Sequence, residues 1–277
     1  GFERRRNTLI SAPRQATEGL KPWTGCPSVT AVRLASGKLP ALDGHEETAV
    51  DGLTVSFAPL LGGSTVLVAQ TGGMKTVRAL GFLQQPVDPE LEARVEWPSD
   101  TPSWTLPDGS SGRINADLPF VFVTARINLA HKLEADLAER SIEVHNYKNK
   151  PEDVTMEAWL NHPRVIISIE QLEKLETRLS MYKDGTVVFD EFVTGASSLV
   201  NGVTVHRPMV TLRTLSKMVD ASSYFIAMDA DFDANGKGKA LLKGVAAKKP
   251  VLHVQTTLPS LKTTVVYGYA GIPEHEV

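Results

Sequence analysis

The sequence predicts an α/β domain, a mostly parallel sheet with helices on both faces. Three observations carry this. Short apolar runs of strand length recur at residues 66–69, 120–124, 164–168, 185–191 and 224–229. Segments with a helical period lie between them, such as Ile127, Ala130, Leu133 and Leu137 on one face. Strand alternating with helix, with strands this apolar, implies a parallel sheet covered on both sides.

Residues 1–59 carry little pattern. Pro13, Pro22, Gly25, Pro27, Gly37, Pro40 and Gly44 break any period, so short strands, loops or partial disorder are expected. The run Glu3 to Arg6 reads as a solvated tail. His45, Glu46 and Glu47 have metal-ligand chemistry but no spaced partner, so a solvated loop is expected there. The main domain is expected to span 60–277.

Residues 66–80 are the most informative stretch. A buried strand is followed by Gln70, Thr71, Gly72, Gly73, Met74, Lys75 and Thr76, and then by a helix-compatible segment from Val77. A tight turn into a helix start aims several backbone N–H groups and one ammonium at a single spot, which suits a polyphosphate. The Thr76 hydroxyl suits the Mg²⁺ that travels with phosphates. Met74 stands where a standard phosphate loop has Gly. The competing reading is a Gly-rich turn with a solvated Lys75.

Residues 86–119 are turn-rich and read as a long surface excursion. Trp97 and Trp104 are expected to pin it to the domain, with base stacking as the alternative. Beyond it come a strand at 120–124, a loop carrying Arg126, and a helix over 127–140. A strand at 164–168 precedes a helix-like 170–179. The strand at 185–191 ends in Asp190 and Glu191, a helical 213–220 follows, and the strand at 224–229 ends in Asp229. Residues 251–255 and 263–269 are two further candidate strands.

In parallel sheets, ligands sit beyond the carboxyl ends of the strands. Lys75, Arg126, Ser168, Asp190, Glu191 and Asp229 all fall at or just past a strand end, so they are expected to share one edge. An acid at a strand tip, Asp190, suits Mg²⁺ held through its water shell. The next acid, Glu191, can orient an attacking water. Phosphoryl transfer asks mainly for such positioning and charge stabilisation.

Two competing motifs bear on this. Asp231 to Gly238 matches the opening of a calcium loop, with Gly236 sixth, but the twelfth position is Leu242 rather than Glu, so a polar turn is expected. The stretch 237–249 contains five Lys, read as a solvated helix face, with phosphate tracking as the alternative. The net charge of −3 excludes a global basic field. Cys26 is the only cysteine, which excludes an internal disulfide and fits a reducing compartment. No apolar run is long enough to span a bilayer, and there is no signal-peptide pattern, so no membrane partner is expected. The first residue is Gly1, so a processed product or a fragment is expected. No zinc-protease, nucleophile-elbow or Cys/His pattern suggests another chemistry.

The order of these motifs resembles the first RecA-like domain of superfamily 2 helicases. More narrowly, it is similar to the origin-binding-protein helicases of herpesviruses and their relatives in other large DNA viruses and mobile elements. Residues 69–76 look like motif I, 121–130 like motif Ia, 165–172 like the strand and turn that follow, 187–193 like motif II, and 225–231 like motif III in its Asp229-Ala230-Asp231 form. The likeness covers roughly residues 60 to 235.

The resemblance implies a P-loop NTPase fold and an ATP-dependent helicase using ATP and Mg²⁺. Gln70 to Thr76 would bind nucleotide, with Lys75, Asp190 and Glu191 catalytic and Thr76 and Asp190 on Mg²⁺. Asp229, Ala230 and Asp231 would couple nucleotide state to grip. Arg126, Ser168, Glu170 and Gln171 would contact nucleic acid, DNA rather than RNA. It also implies a cytoplasmic or nuclear setting at a site of viral or element replication, with replication proteins as partners. A second RecA-like domain is expected to be absent, because only about 40 residues follow Gly236, too few for a domain. The alternatives are a non-catalytic RecA-like scaffold binding nucleic acid or protein, and another P-loop ATPase such as a packaging motor.

Overall fold

The computed structural model describes residues 29–34, 49–50, 53–54, 58–69, 75–106, 109–125, 127–201, 205–232 and 236–256. Its organising element is an eight-stranded sheet. In chain order the strands are β1 (Val29–Leu34), β4 (Gly63–Val68), β7 (Phe120–Thr124), β8 (His145–Asn146), β9 (Arg164–Ser168), β10 (Thr186–Asp190), β11 (Tyr224–Asp229) and β12 (Val251–Thr256). Two small antiparallel pairs lie outside it: β2 (Ala49–Val50) with β3 (Leu53–Thr54), and β5 (Trp104–Thr105) with β6 (Ser111–Gly112). Across the large sheet the order is β1-β12-β4-β11-β10-β7-β9-β8, and every pairing is parallel.

All residues of β4, β7, β10 and β11 are buried. Successive side chains point to opposite faces, so both faces are covered, as the sequence predicts. Val, Ile, Phe and Tyr dominate these strands, residues that pack well on a pleated surface. The sheet also reaches back beyond residue 60, because β1 lies against β12.

The helices are α1 (Lys75–Leu83), α2 (Pro89–Arg94), α3 (Ile127–Ala138), α4 (Met156–Trp159), α5 (Phe192–Asn201), α6 (Pro208–Ala221) and α7 (Lys237–Val245). Local chemistry starts several of them. Asp88 caps α2 by accepting from Glu90 N at 2.9 Å, with Pro89 in the first turn. Thr155 caps α4 by accepting from Ala158 N at 3.2 Å, and Pro208 opens α6.

Residues 169–182, which include the span read as helix-like, form a 3₁₀ helix. Ile169, Leu172 and Leu175 are buried, and a three-residue repeat lines up on one face only when the turn holds three residues. That face meets the sheet and α6. Arg213 bonds Glu176 at 2.7 Å across the same contact.

The excursion at 86–119 is more ordered than expected. It holds α2, the β5–β6 pair and a short 3₁₀ turn, Asn115–Asp117. Trp97 and Trp104 both pack against the core. Their indole N–H groups donate to Glu92 O and Asp117 Oδ1. They act as pins.

Gly185 opens β10 at a point where a Cβ would sit 2.1 Å from Pro119 O. Only glycine lets β10 approach the chain this closely. The expected strand at 263–269 lies outside the described residues.

Candidate nucleotide-phosphate site

The carboxyl ends of four central strands are level. Val68 of β4 pairs with Asp229 of β11, Met228 of β11 with Asp190 of β10, and Phe189 of β10 with Val123 of β7. β11 separates β4 from β10, which puts the backbones of those two strands roughly 10 Å apart. Lys75 starts α1 just beyond β4, and its ammonium donates to Ala69 O at 2.7 Å. The side chain therefore turns back over the strand end. There its charge acts on Asp190. Thr76 lies in the first turn of the same helix, half-buried.

Asp190 is 6 % exposed. Burial pushes its carboxyl pKa up to about 6, and the neighbouring Glu191 charge pushes the same way. Lys75 and the Glu191 backbone N–H oppose this, while Asp229 adds to it. A buried carboxylate among other acids lacks full charge compensation, and a divalent cation would supply it. A carboxylate such as Asp190 and a hydroxyl such as Thr76 offer hard oxygen, which fits Mg²⁺ rather than a softer metal.

The sign of the pH effect follows from linkage. Between about pH 4 and 6 the folded chain binds more protons at Asp190 than the unfolded chain does. Stability from this group therefore falls as pH rises through that window. The gap between 3.8 and about 6 corresponds to ~3 kcal/mol at most. In urea titrations without Mg²⁺, Asp190→Asn is expected to stabilise the chain at pH 7.5. The gain should shrink towards pH 4, and a gain that does not vary with pH would contradict this origin.

Glu191 adopts φ 52°. A side chain in the left-handed region costs roughly 1–2 kcal/mol, and such strain concentrates at functional positions. The turn aims the chain from β10 directly into α5. Gly195 lets that helix lie on the strand, since a Cβ there would meet the Phe189 ring at 2.6 Å.

Asp229 is buried, and both its oxygens are engaged. Oδ2 accepts from Val193 N at 2.8 Å, and Oδ1 accepts from Asp231 N at 2.7 Å. Val193 is in the first turn of α5, where backbone N–H groups lack helical partners and a carboxylate is favoured. The tip of β11 is thus tied to the helix that leaves Glu191. Ala230 is half-buried and Asp231 exposed beside it.

Lys75, Asp190, Glu191 and Asp229 come together at one edge. Gln70, Thr71, Gly72, Gly73, Met74 and Arg126 lie outside the described residues. Ser168 ends β9 on the same edge but is buried, so its side chain is withheld from any strand lying on the surface. Glu170 is exposed and Gln171 half-buried; the Glu170 carboxylate has the wrong sign to meet a phosphate backbone.

Two residues were missed by sequence reasoning. An open groove of about 730 Å³ beside Asp190 and Glu191 is lined by Asn128 and Lys132 of α3. Their i, i+4 spacing at the start of the helix after β7 was the available signal. The calcium-loop reading fails at its twelfth position, because Leu242 is a buried core residue of α7. Lys249, the last of the five lysines, is buried and donates to Ser222 O at 2.6 Å, so it does not belong to a solvated face. Among the described residues, no helix is long and apolar enough to cross a membrane.

No family model matches the chain, and no curated protein matches it. Solved structures do. The SWI2/SNF2 ATPase core of Sulfolobus solfataricus in complex with dsDNA is 10% identical, with TM-score 0.41, over 67% of this chain and 31% of that one. A hypothetical ATP-dependent RNA helicase from Sulfolobus tokodaii is 15% identical, with TM-score 0.42, over 69% and 48%. The Hef helicase domain of Pyrococcus furiosus is 12% identical, with TM-score 0.42, over 70% and 35%. The chain spans less than half the length of each.

Proposed function

We infer that this chain is the ATP-binding part of a helicase-type motor that acts on nucleic acid. The observation that carries the reading is the meeting of Lys75, Asp190 and Glu191 at the level carboxyl edge of a parallel sheet. The turn at 70–74 and the N–H groups at the start of α1 would take the phosphates, with the Lys75 ammonium against them. Thr76 and Asp190 would hold Mg²⁺, which when bound neutralises phosphate charge. Glu191 would orient the attacking water, in the role such acids play in phosphoryl transfer. Asp229 supports coupling: a shift of α5 must strain its hydrogen bond from Val193 N, while its bond from Asp231 N shapes its own turn. Lys132 and Asn128 extend the groove and suit a phosphate group or a ribose.

The finer reading is a DNA helicase of the origin-binding type, with the domain built on this sheet, β1 included, as its first RecA-like domain and replication proteins as partners. It rests on the order of the motifs and on the Asp229-Ala230-Asp231 segment. A non-catalytic scaffold is the rival, favoured by Met74 in the place of a loop glycine. A thermal shift separates the two. A ligand that binds only the folded state stabilises it by about 2.7 kcal/mol at a hundred times its Kd. Saturating Mg-ATP should raise the melting midpoint by several degrees, and an unchanged midpoint supports the scaffold.

A further inference from the structure

The groove beside Asp190 and Glu191 opens on the side of β10 away from Lys75. β4 and β11 lie to one side of β10, and β7 lies to the other. The Lys75 ammonium acts on Asp190 from the β4 side. Asn128 and Lys132 enter the groove from α3, which starts just beyond β7. The two acids therefore stand between two lysines. The groove holds about 730 Å³, inside the range of roughly 300–1,000 Å³ usual for ligand sites.

The chain holds Lys132 in position without using its charge. Ala130, Leu133 and Leu137 are buried and fix α3 on the sheet. Lys132 is exposed, one turn after Asn128 on the same helix face. Among the described residues, neither side chain takes a hydrogen-bond or ion-pair partner. Ile127 and Leu129 beside them are apolar and offer none.

The charges of the groove select its occupant. It is lined by one ammonium and two carboxylates. A nucleic-acid backbone is gripped by several cations, one for each phosphate neutralised, and one lysine is too few. A single phosphate ion needs only one. Cleavage of ATP by water leaves ADP and inorganic phosphate. That anion is then beside Asp190 and Glu191, whose like charge repels it, while Lys132 attracts it towards the open side. Push and pull together give weak, brief holding, which suits a group that must leave.

We propose that Lys132 and Asn128 form a holding site for the inorganic phosphate product on its way out of the nucleotide site. The proposal rests on reading Asp190 and Glu191 as an ATPase centre. Lys132 supplies the charge, and the Asn128 amide donates to a phosphate oxygen. Both act after the bond to the γ-phosphate has broken.

The test is phosphorus magnetic resonance of inorganic phosphate added to the full chain saturated with Mg-ADP, at pH 7.5 and low salt. Line broadening that saturates with added phosphate is expected. Lys132→Ala should weaken phosphate binding by about 5–10-fold, between the values for an exposed ion pair and for a hydrogen bond to a charged group. Lys132→Arg keeps the charge and should restore binding. Alanine at an exposed helix position carries little folding risk. Phosphate binding that is absent, or that is equal in Lys132→Ala and the parent, overturns the proposal. A fall in Mg-ADP affinity in Lys132→Ala also overturns it, because the lysine would then belong to the nucleotide. Equal phosphate binding with weakened binding of a single-stranded oligonucleotide would give the groove to nucleic acid. A parent chain that binds no Mg-ADP defeats the ATPase reading itself, and this proposal with it.

Discussion

Lys75→Ala is expected to abolish measurable binding of a fluorescent ATP analogue at micromolar concentration. The ammonium is already turned over the end of β4, held by Ala69 O at 2.7 Å, and its charge reaches Asp190. A hydrogen bond to a charged group contributes about 1.5–3 kcal/mol, which is a weakening of about 10–150-fold. Two losses would add to this. Asp190 loses the ammonium that opposes its protonation, so it becomes a poorer partner for Mg²⁺ near pH 6. The start of α1 also loses the ammonium that would face the phosphates. The fold should survive, because Lys75 is half-buried and its ammonium bonds a loop carbonyl. Analogue binding that is unchanged in a folded variant would remove the phosphate-site assignment, and with it the ATPase reading.

Glu191→Gln should separate binding from turnover. The substitution keeps shape and volume, and the φ 52° backbone is no more strained by Gln than by Glu. Removing the charge also removes one of the groups that raise the Asp190 pKa. Mg-nucleotide binding should therefore be retained or slightly tightened. Turnover should fall by about 10²–10⁴-fold if Glu191 handles the attacking water, which is the range for loss of a positioned acid–base group. The measurement is phosphate release with and without nucleic acid, next to analogue affinity on the same preparation. Turnover at the parent rate would mean that the water is held by another group. Loss of binding together with turnover would make Glu191 a ligand and not a base.

The sheet was readable because strands buried on both faces must be apolar at every position. Runs such as 120–124, 186–190 and 224–229 therefore stand out from their surroundings. The placing of Lys75, Asp190 and Asp229 was readable for a related reason: in a parallel sheet every carboxyl end faces one way. Finer detail was hidden where a one-dimensional rule met a local choice. The three-residue repeat of Ile169, Leu172 and Leu175 fits a 3₁₀ turn better than an α turn. Lys249 carries a polar side chain that the sequence placed at the surface, and the fold buries it.

By itself, then, the sequence determined the sheet class and the edge at which its charged residues gather. Periodicity and strand-end chemistry are local properties of the chain. Only the tertiary structure decided that β11 lies between β4 and β10, and that Asp229 bonds the first turn of α5. Only it brought Asn128 and Lys132 beside Asp190 and Glu191, because neighbours across a sheet are chosen by crossover packing and not by nearness along the chain.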